Sequence, residues 1–386
     1  MAENVRAMRV ALVSESFLPQ VNGVTNTVRH VVDRLVETGH DCLVVAPGCG
    51  PDAYRGVPVE RVRSAGLPGY RSFALGLPDR RVSAALADFR PDVVHLASPV
   101  AVGALGLRAA RRLGVPTVAV YQTDVAGFAR QYGVPAGGLL DAWVGYLHRR
   151  ADRTLVPSDA SWQQLERLGV GDLHLWRRGV DLDLFGPGHR DETLHSTWTR
   201  GALEGDRVVV GYVGRLASEK SVRRLVEVSR VPGVELVVVG DGPERDWLER
   251  HLPRATFTGM LGGTDLARAF ASLDVFVHPG ENETFCQTVQ EAQASGVAVV
   301  AAGKGGPVDL VEDGRTGLLY DVADPRSLRR AVATVVGDPL LRRTLARAGR
   351  EAVQGRTWDA LVDRLVVEHY LPLAGLPEAT RQPRAA

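Results

Sequence analysis

The stretch Arg207-Val208-Val209-Val210-Gly211-Tyr212-Val213-Gly214-Arg215-Leu216-Ala217-Ser218-Glu219-Lys220 runs from an apolar, β-branched segment straight into a glycine-bearing, charged turn. An apolar run with so little alternation predicts a strand covered by helices on both faces. Similar runs follow at Glu235–Val239, Ala255–Phe257, Val275–Val277, Val297–Val300 and Leu318–Tyr320. An earlier series comprises Arg9–Val13, Cys42–Ala46, Val93–Leu96, Thr117–Tyr121 and Thr154–Val156, with Val57–Val62 as an extra strand. Helical patterns such as Thr25–Glu37 and Ala101–Leu113 lie between the strands, as parallel βαβ units require. The expected fold class is α/β: two doubly wound, Rossmann-like domains facing across a cleft, with ligands at the C-terminal strand ends. Residues 1–185 make the first domain, the polar and glycine-rich segment 186–206 a linker, and 207–357 the second domain.

Composition narrows the function. The 386 residues are 45% hydrophobic and 24% charged, with a net charge of +1, so no bulk field draws the protein to nucleic acid. Cys42, Cys49 and Cys286 are scattered and odd in number, which argues for a reducing compartment and against a disulfide framework. His30, His40, His95 and His278 lack metal-ligand spacing, and no metal centre is expected. The start of the chain has no signal-peptide pattern and no segment is apolar enough to span a bilayer, so a cytoplasmic location is expected.

Several strand ends carry candidate chemistry. In Pro279-Gly280-Glu281-Asn282-Glu283-Thr284-Phe285-Cys286-Gln287-Thr288-Val289-Gln290-Glu291, the carboxylates of Glu283 and Glu291 are eight positions apart. On one helix that is about 12 Å along the axis. A retaining glycosidase needs its carboxylates about 5 Å apart. The spacing suits a long ligand, one carboxylate on sugar hydroxyls and the other on a ribose. The amides of Phe285, Cys286 and Gln287 sit where a helix start welcomes a diphosphate or polarised hydroxyl. Arg215 and Lys220 provide a planar fork and a point charge for a departing diphosphate. Gly23, opening a helix after Asn22, can face phosphates. Asp124 ends Tyr121-Gln122-Thr123-Asp124 and reads either as a hydrogen-bond acceptor that orients an acceptor hydroxyl or as a helix cap. Gly303-Lys304 lacks the rest of a P-loop. Gly66–Arg81 mixes Leu67, Tyr70 and Phe73 with Arg71, Arg80 and Arg81; it reads as a surface for an anionic membrane or as a packed loop and helix start.

In order along nearly the whole chain, Asn22-Gly23-Val24, Gly179-Val180-Asp181-x-x-x-Phe185-x-Pro187, Arg215…Lys220, Gly240–Pro243 and Glu283-x-Phe285…Glu291 resemble the retaining GT-B glycosyltransferases of family four. The resemblance implies that Arg215 and Lys220 bind the diphosphate of a nucleotide-sugar donor. It implies that Glu283 and the amides after it hold the transferred sugar, that Glu291 holds the ribose, and that backbone near Met260 faces the base. It further implies that a helix over 358–371 returns to the first domain and that neither metal nor cofactor is needed. Tyr121–Ala129 looks like the GDP-mannose-dependent α-mannosyltransferases of actinobacterial glycolipid assembly, with a glycolipid or small molecule as acceptor. Two positions depart from the pattern: Gln122 replaces a frequent histidine, and Cys286 a usual glycine. Gln122, Asp124, Arg215, Lys220 and Glu283 are the expected catalytic group. The competing expectations are a UDP-sugar donor, a sugar-nucleotide epimerase or phosphorylase, and a non-catalytic sugar-nucleotide binder.

Overall fold

The computed structural model describes residues 7–67, 70–133, 136–199 and 207–377, with backbone alone at 67 and 70–75. The chain forms two compact units, Met1–Arg178 with Trp358–Ala386, and Gly179–Thr357.

The first unit is built on β1 (Arg9–Ser14), β2 (Asp41–Pro47), β3 (Ala53–Tyr54), β4 (Val57–Val62), β5 (Ser64–Leu67) and β6 (Tyr70–Gly76). It continues with β7 (Val93–Ala97), β8 (Thr117–Val120), β9 (Arg153–Val156) and β10 (Leu173–Leu175). The helices are α1 (Gly23–Glu37), α2 (Arg81–Phe89), α3 (Val102–Leu113), α4 (Val125–Gln131), α5 (Gly137–Arg150) and α6 (Asp159–Arg167). The sheet order is β10-β9-β8-β7-β1-β2-β4-β3. Its strands pair in parallel, except that β3 runs antiparallel to β4. Alternate residues of β1 serve opposite faces: Val10 and Leu12 pack with Val28, Val31 and Leu35 of α1, whereas Ala11 and Val13 pack with Leu86 of α2 and Leu107 of α3. Both faces are therefore dry, which is why the strands lack alternation. In place of the packed loop expected before the helix start, β5 and β6 pair as an antiparallel hairpin ahead of α2.

The second unit starts earlier than the domain boundary expected at 185. Residues 186–199 are not a free linker, since Asp191 caps α7 (Glu192–Trp198) and Trp198, 4% exposed, packs with Phe185 and Phe270 in that unit's core. Residues 200–206 of the expected linker lie outside the described residues. The strands are β11 (Val208–Val213), β12 (Val234–Val239), β13 (Thr256–Gly259), β14 (Val275–His278), β15 (Ala298–Ala302) and β16 (Leu318–Tyr320). The helices are α8 (Leu225–Ser229), α9 (Arg245–His251), α10 (Gly263–Ala271), α11 (Gln287–Ala294), α12 (Ser327–Gly337) and α13 (Pro339–Val353). The sheet is parallel throughout, in the order β13-β12-β11-β14-β15-β16.

The chain then returns to the first unit through α14 (Trp358–Arg364), a π-helical turn at Leu365–Tyr370 and α15 (Leu371–Leu373). Val362, Leu365, Val366, Tyr370 and Leu371 complete the core that Val10 and Leu12 face. Arg34 of α1 grips Asp363 with two parallel hydrogen bonds of 2.7 Å. No described helix is long and apolar enough to cross a membrane.

Candidate functional site

Each sheet reverses its direction of growth beside its first strand, between β1 and β7 in one unit and between β11 and β14 in the other. Loops at such switch points splay apart and leave a crevice for ligands. In the second unit the loop after β11 carries Arg215 and Lys220, and the loop after β14 carries Glu283. Lys220 Nζ donates to Glu283 Oε1 at 2.7 Å, and the same oxygen accepts from His278 Nε2 at 3.1 Å. Burial alone would push the Glu283 carboxyl up; the Lys220 ammonium and the His278 imidazole outweigh it and hold it at about 2. Burial would lower His278, yet Cys286 and Glu283 raise it to about 9. Burial would also lower Lys220, which Glu283 instead holds above its ordinary value. The result is an ionised carboxylate fixed between two cations, suited to accepting hydroxyl hydrogen bonds. Arg215 lies on the same loop with Nη1 3.7 Å from buried Glu219, while its carbonyl accepts from the Tyr212 hydroxyl.

Close backbone approach maintains this arrangement. A Cβ on Gly280 would stand 2.8 Å from His278 Nε2 and 3.4 Å from Glu283 Oε1, so a side chain there would displace the cluster. Gly306 N donates to the Glu283 carbonyl at 2.8 Å, and a Cβ on Gly306 would lie 2.3 Å from the Phe285 carbonyl. The Gly303–Gly306 segment, which fails as a P-loop, thus braces the loop that presents Glu283. His278, Gly280 and Gly306 were missed in the sequence. His278-Pro279-Gly280 at a strand end was the available signal for the first two.

The expectation that Glu283 and Glu291 share a helix is wrong. Helix α11 begins at Gln287 and Glu283 sits in the preceding loop, so the helical spacing does not apply. Cys286 stands at the N-cap of α11 with φ 85, a conformation a glycine adopts without cost. Phe285 is buried in the core, Gln287 Nε2 donates to the Gly179 carbonyl, and Met260 is 83% exposed beyond β13. Among the described residues, His278, Glu283 and Cys286 bring nitrogen, oxygen and sulfur ligand atoms within 4.8 Å of one another, which spacing along the chain concealed. The ammonium of Lys220 and the imidazole of His278, both already on Glu283 Oε1, oppose a metal cation there.

In the first unit, Asn22 caps α1, its Oδ1 accepting from Val24 N and Thr25 N at 3.0 Å, and Gly23 is the first helical residue. Gln122, buried beyond β8, accepts at Oε1 from Arg178 Nη2 at 3.4 Å. Asp124 caps α4 through Gly127 N at 2.8 Å. Its carboxylate, after burial, adds to the upward shift of the Tyr121 hydroxyl. Across the switch point, Glu15 Oε1 accepts from the amides of Val100, Ala101 and Gly103, and Oε2 from Val102. Arg80 is exposed and Arg81 Nη1 donates to the Arg61 carbonyl, while Tyr70 and Arg71 lie on β6 with side chains outside the described residues.

Two family models divide the chain: Glycosyltransferase Family 4 matches residues 21–184, and Glycosyl transferases group 1 matches 199–352. A GDP-mannose-dependent alpha-mannosyltransferase of Mycolicibacterium smegmatis is 51% identical, with 95% of this chain and 98% of the relative aligned. One of the same name from Corynebacterium glutamicum is 44% identical, over 97% of this chain and 92% of the relative. The chain belongs to glycosyltransferase family 4. This glycosyltransferase shares its fold with sucrose-phosphate synthase from Thermosynechococcus elongatus, at TM-score 0.76 and 21% identity over 95% of this chain and 100% of that one. Anabaena HepE, solved with UDP and glucose, gives TM-score 0.73 at 19% identity over 94% of this chain and 98% of that one. The expected GT-B fold therefore holds. In the glycosyltransferase, the Lys220–Glu283–His278 cluster occupies the switch-point position where such a fold binds its ligand.

Proposed function

We propose that the enzyme transfers mannose from GDP-mannose, with retention at the anomeric carbon, to a hydroxyl of a glycolipid or another small acceptor. The observation that carries this reading is the ionised Glu283 held by Lys220 and His278 at a switch point. Support for the donor comes from relatives of that activity aligned over nearly the entire chain. Glu283 fixes the sugar through its hydroxyls, and Arg215 and Lys220 receive the diphosphate. The anomeric C–O bond breaks with its electron pair going to the β-phosphate oxygen. The acceptor oxygen bonds to the same face of that carbon, and its proton passes to the departing phosphate oxygen. Glu291 holds the ribose, the amides of Cys286 and Gln287 face the sugar, and backbone near Met260 faces the base. Gln122 and Asp124 attend the acceptor side. Lys220 and Arg215 supply the charge that a metal supplies elsewhere, so activity should persist in a chelator.

The test is a transfer assay offering GDP-mannose, UDP-glucose and ADP-glucose, with the product anomer read by NMR. Preference for GDP-mannose and an α-linked product are expected; preference for a UDP-sugar, or a β-linked product, overturns the reading. Arg215→Ala should cost about 2–4 kcal/mol of transition-state stabilisation, read as kcat/KM, as for a lost oxyanion donor. The same reading places the enzyme in the cytoplasm, with Arg80, Arg81 and the β5–β6 hairpin against anionic lipid. Co-sedimentation with anionic vesicles that salt abolishes would support that contact, and no binding at low salt would remove it.

A further inference from the structure

The chain contains only two lysines, Lys220 and Lys304, and both end on the loop that carries Glu283. That loop, residues 279–286 of the second unit, joins β14 to α11 and forms neither strand nor helix. With no ladder of its own, it takes its shape from groups that reach in from neighbouring loops. Lys220, on the loop after β11, grips Glu283. Two residues earlier, the Glu281 carboxylate is gripped in the same way. Lys304 Nζ, on the loop after β15, donates to its Oε2 at 2.9 Å, and Arg224 Nη2, beyond β11, donates to its Oε1 at 3.4 Å. Arg224 is fixed in turn by donating to the Val322 carbonyl beyond β16 at 3.2 Å.

Backbone contacts take the same route. The Tyr320 hydroxyl donates to the Pro279 carbonyl at 2.7 Å. Gly305, at φ 71, lies against the loop: a Cβ there would stand 2.8 Å from the Glu281 carbonyl and 3.0 Å from the Glu283 carbonyl. Lys304 precedes that glycine, so its side chain and the Gly305–Gly306 backbone hold one stretch from one side. The Lys304 side chain is 56% exposed, and an ion pair so well hydrated adds little to stability. What it fixes is geometry. Glu281 and Glu283 are like charges two residues apart, and by drawing Glu281 aside Lys304 and Arg224 leave Lys220 and His278 to Glu283 alone.

We propose that Glu281 is a positioning residue for the donor sugar: tethered by Lys304 and Arg224, it sets the loop on which Glu283 meets the sugar hydroxyls. This rests on the nucleotide-sugar transfer argued above. Glu283 meets those hydroxyls in the ground state and in the transition state alike, so its misplacement raises KM more than it lowers kcat. The nucleotide part of the donor makes no use of Glu281, and its binding is untouched when the tether is cut.

The experiment measures acceptor-free hydrolysis of GDP-mannose, and GDP binding by calorimetry, for wild type, Glu281→Ala, Lys304→Met and the double variant. KM for GDP-mannose should rise about tenfold in Glu281→Ala and about fivefold in Lys304→Met, with kcat within about threefold of wild type. The Kd for GDP, which lacks the mannose, should stay within about twofold. A general loosening of the unit would weaken GDP and GDP-mannose together, and that result overturns the proposal. The double variant should match Glu281→Ala alone, since both changes cut one tether; additive losses overturn it. Lys304→Met with the wild-type KM overturns it too, because Glu281 then acts without that tether. Lys304 is exposed, so its variant keeps the fold even if Glu281→Ala does not. Failure of the donor reading is distinguishable: wild type would then hydrolyse UDP-glucose in place of GDP-mannose, and the same comparison with UDP would decide the role of Glu281.

Discussion

Lys220 and Glu283 meet with 26% and 12% of their side chains exposed, a pairing too enclosed for either charge to be left alone cheaply. On the proposed function, Lys220→Ala should reduce kcat by about 10²–10³-fold, since the variant loses the charge proposed to receive the leaving group and the anchor of the Glu283 carboxylate. Restoration of that rate by alkaline pH would contradict the assignment. His278 gives the site a pH signature. Its folded value, about 9, is above the ordinary 6.5, so the native state retains a proton that the unfolded chain releases. The stability it adds is complete below pH about 6.5 and disappears as pH rises through about 9. Urea midpoints for the second unit should fall over that window in the wild type, and His278→Gln should flatten the fall. Parallel profiles for the two proteins would rule this out. The Glu283 loop is legible in the sequence as a charged strand-end motif, but its pairing with His278 is not, because a histidine after an apolar run looks like any strand end.

At the level of elements, the loop after β1 is tied to the first turn of α3 by a single carboxylate. Glu15, 3% exposed, takes four amides from residues 100–103, closing the switch point of the first unit and holding the loop that leads to Asn22. Glu15→Ala leaves those donors without their acceptor and should cost about 3 kcal/mol, measured as a shift in denaturation midpoint. Faster amide exchange at residues 100–103 should accompany it. Helix α1 was legible in the sequence because Asn22 caps it and its apolar residues recur with a helical period. Helix α7 was missed inside a polar stretch, although Asp191 before Glu192 and the apolar Leu194 and Trp198 were the signals of a capped amphipathic turn. Helix α11 was placed too early because its first residues follow a positive-φ cysteine, a backbone choice that composition does not announce.

Across the whole molecule, the last described helices belong to the core of the first unit although they follow the second in sequence. Tyr370, fully buried, pairs its hydroxyl with His95 Nδ1 at 2.6 Å and packs among residues of β1 and α1. Tyr370→Ala should cost about 3–5 kcal/mol, as for other large-to-small aromatic deletions. Hydrogen exchange should show the loss in β1 and β7 while β11 to β15 keep their protection; equal loss in both sheets would refute the assignment of Tyr370 to one core.

By itself the sequence determined the strands, the principal helices, the doubly wound class and the likeness to family 4, because strand and helix periods and strand-end motifs are local properties of the chain. Only the tertiary structure decided which strand ends adjoin. That choice brings residue 15 to 100–103, residue 220 to 278 and 283, and residue 178 to 23 and 122. These meetings depend on strand order and backbone approach over long separations, and those are settled by the packing of whole sheets and helices, which no local pattern of residues encodes.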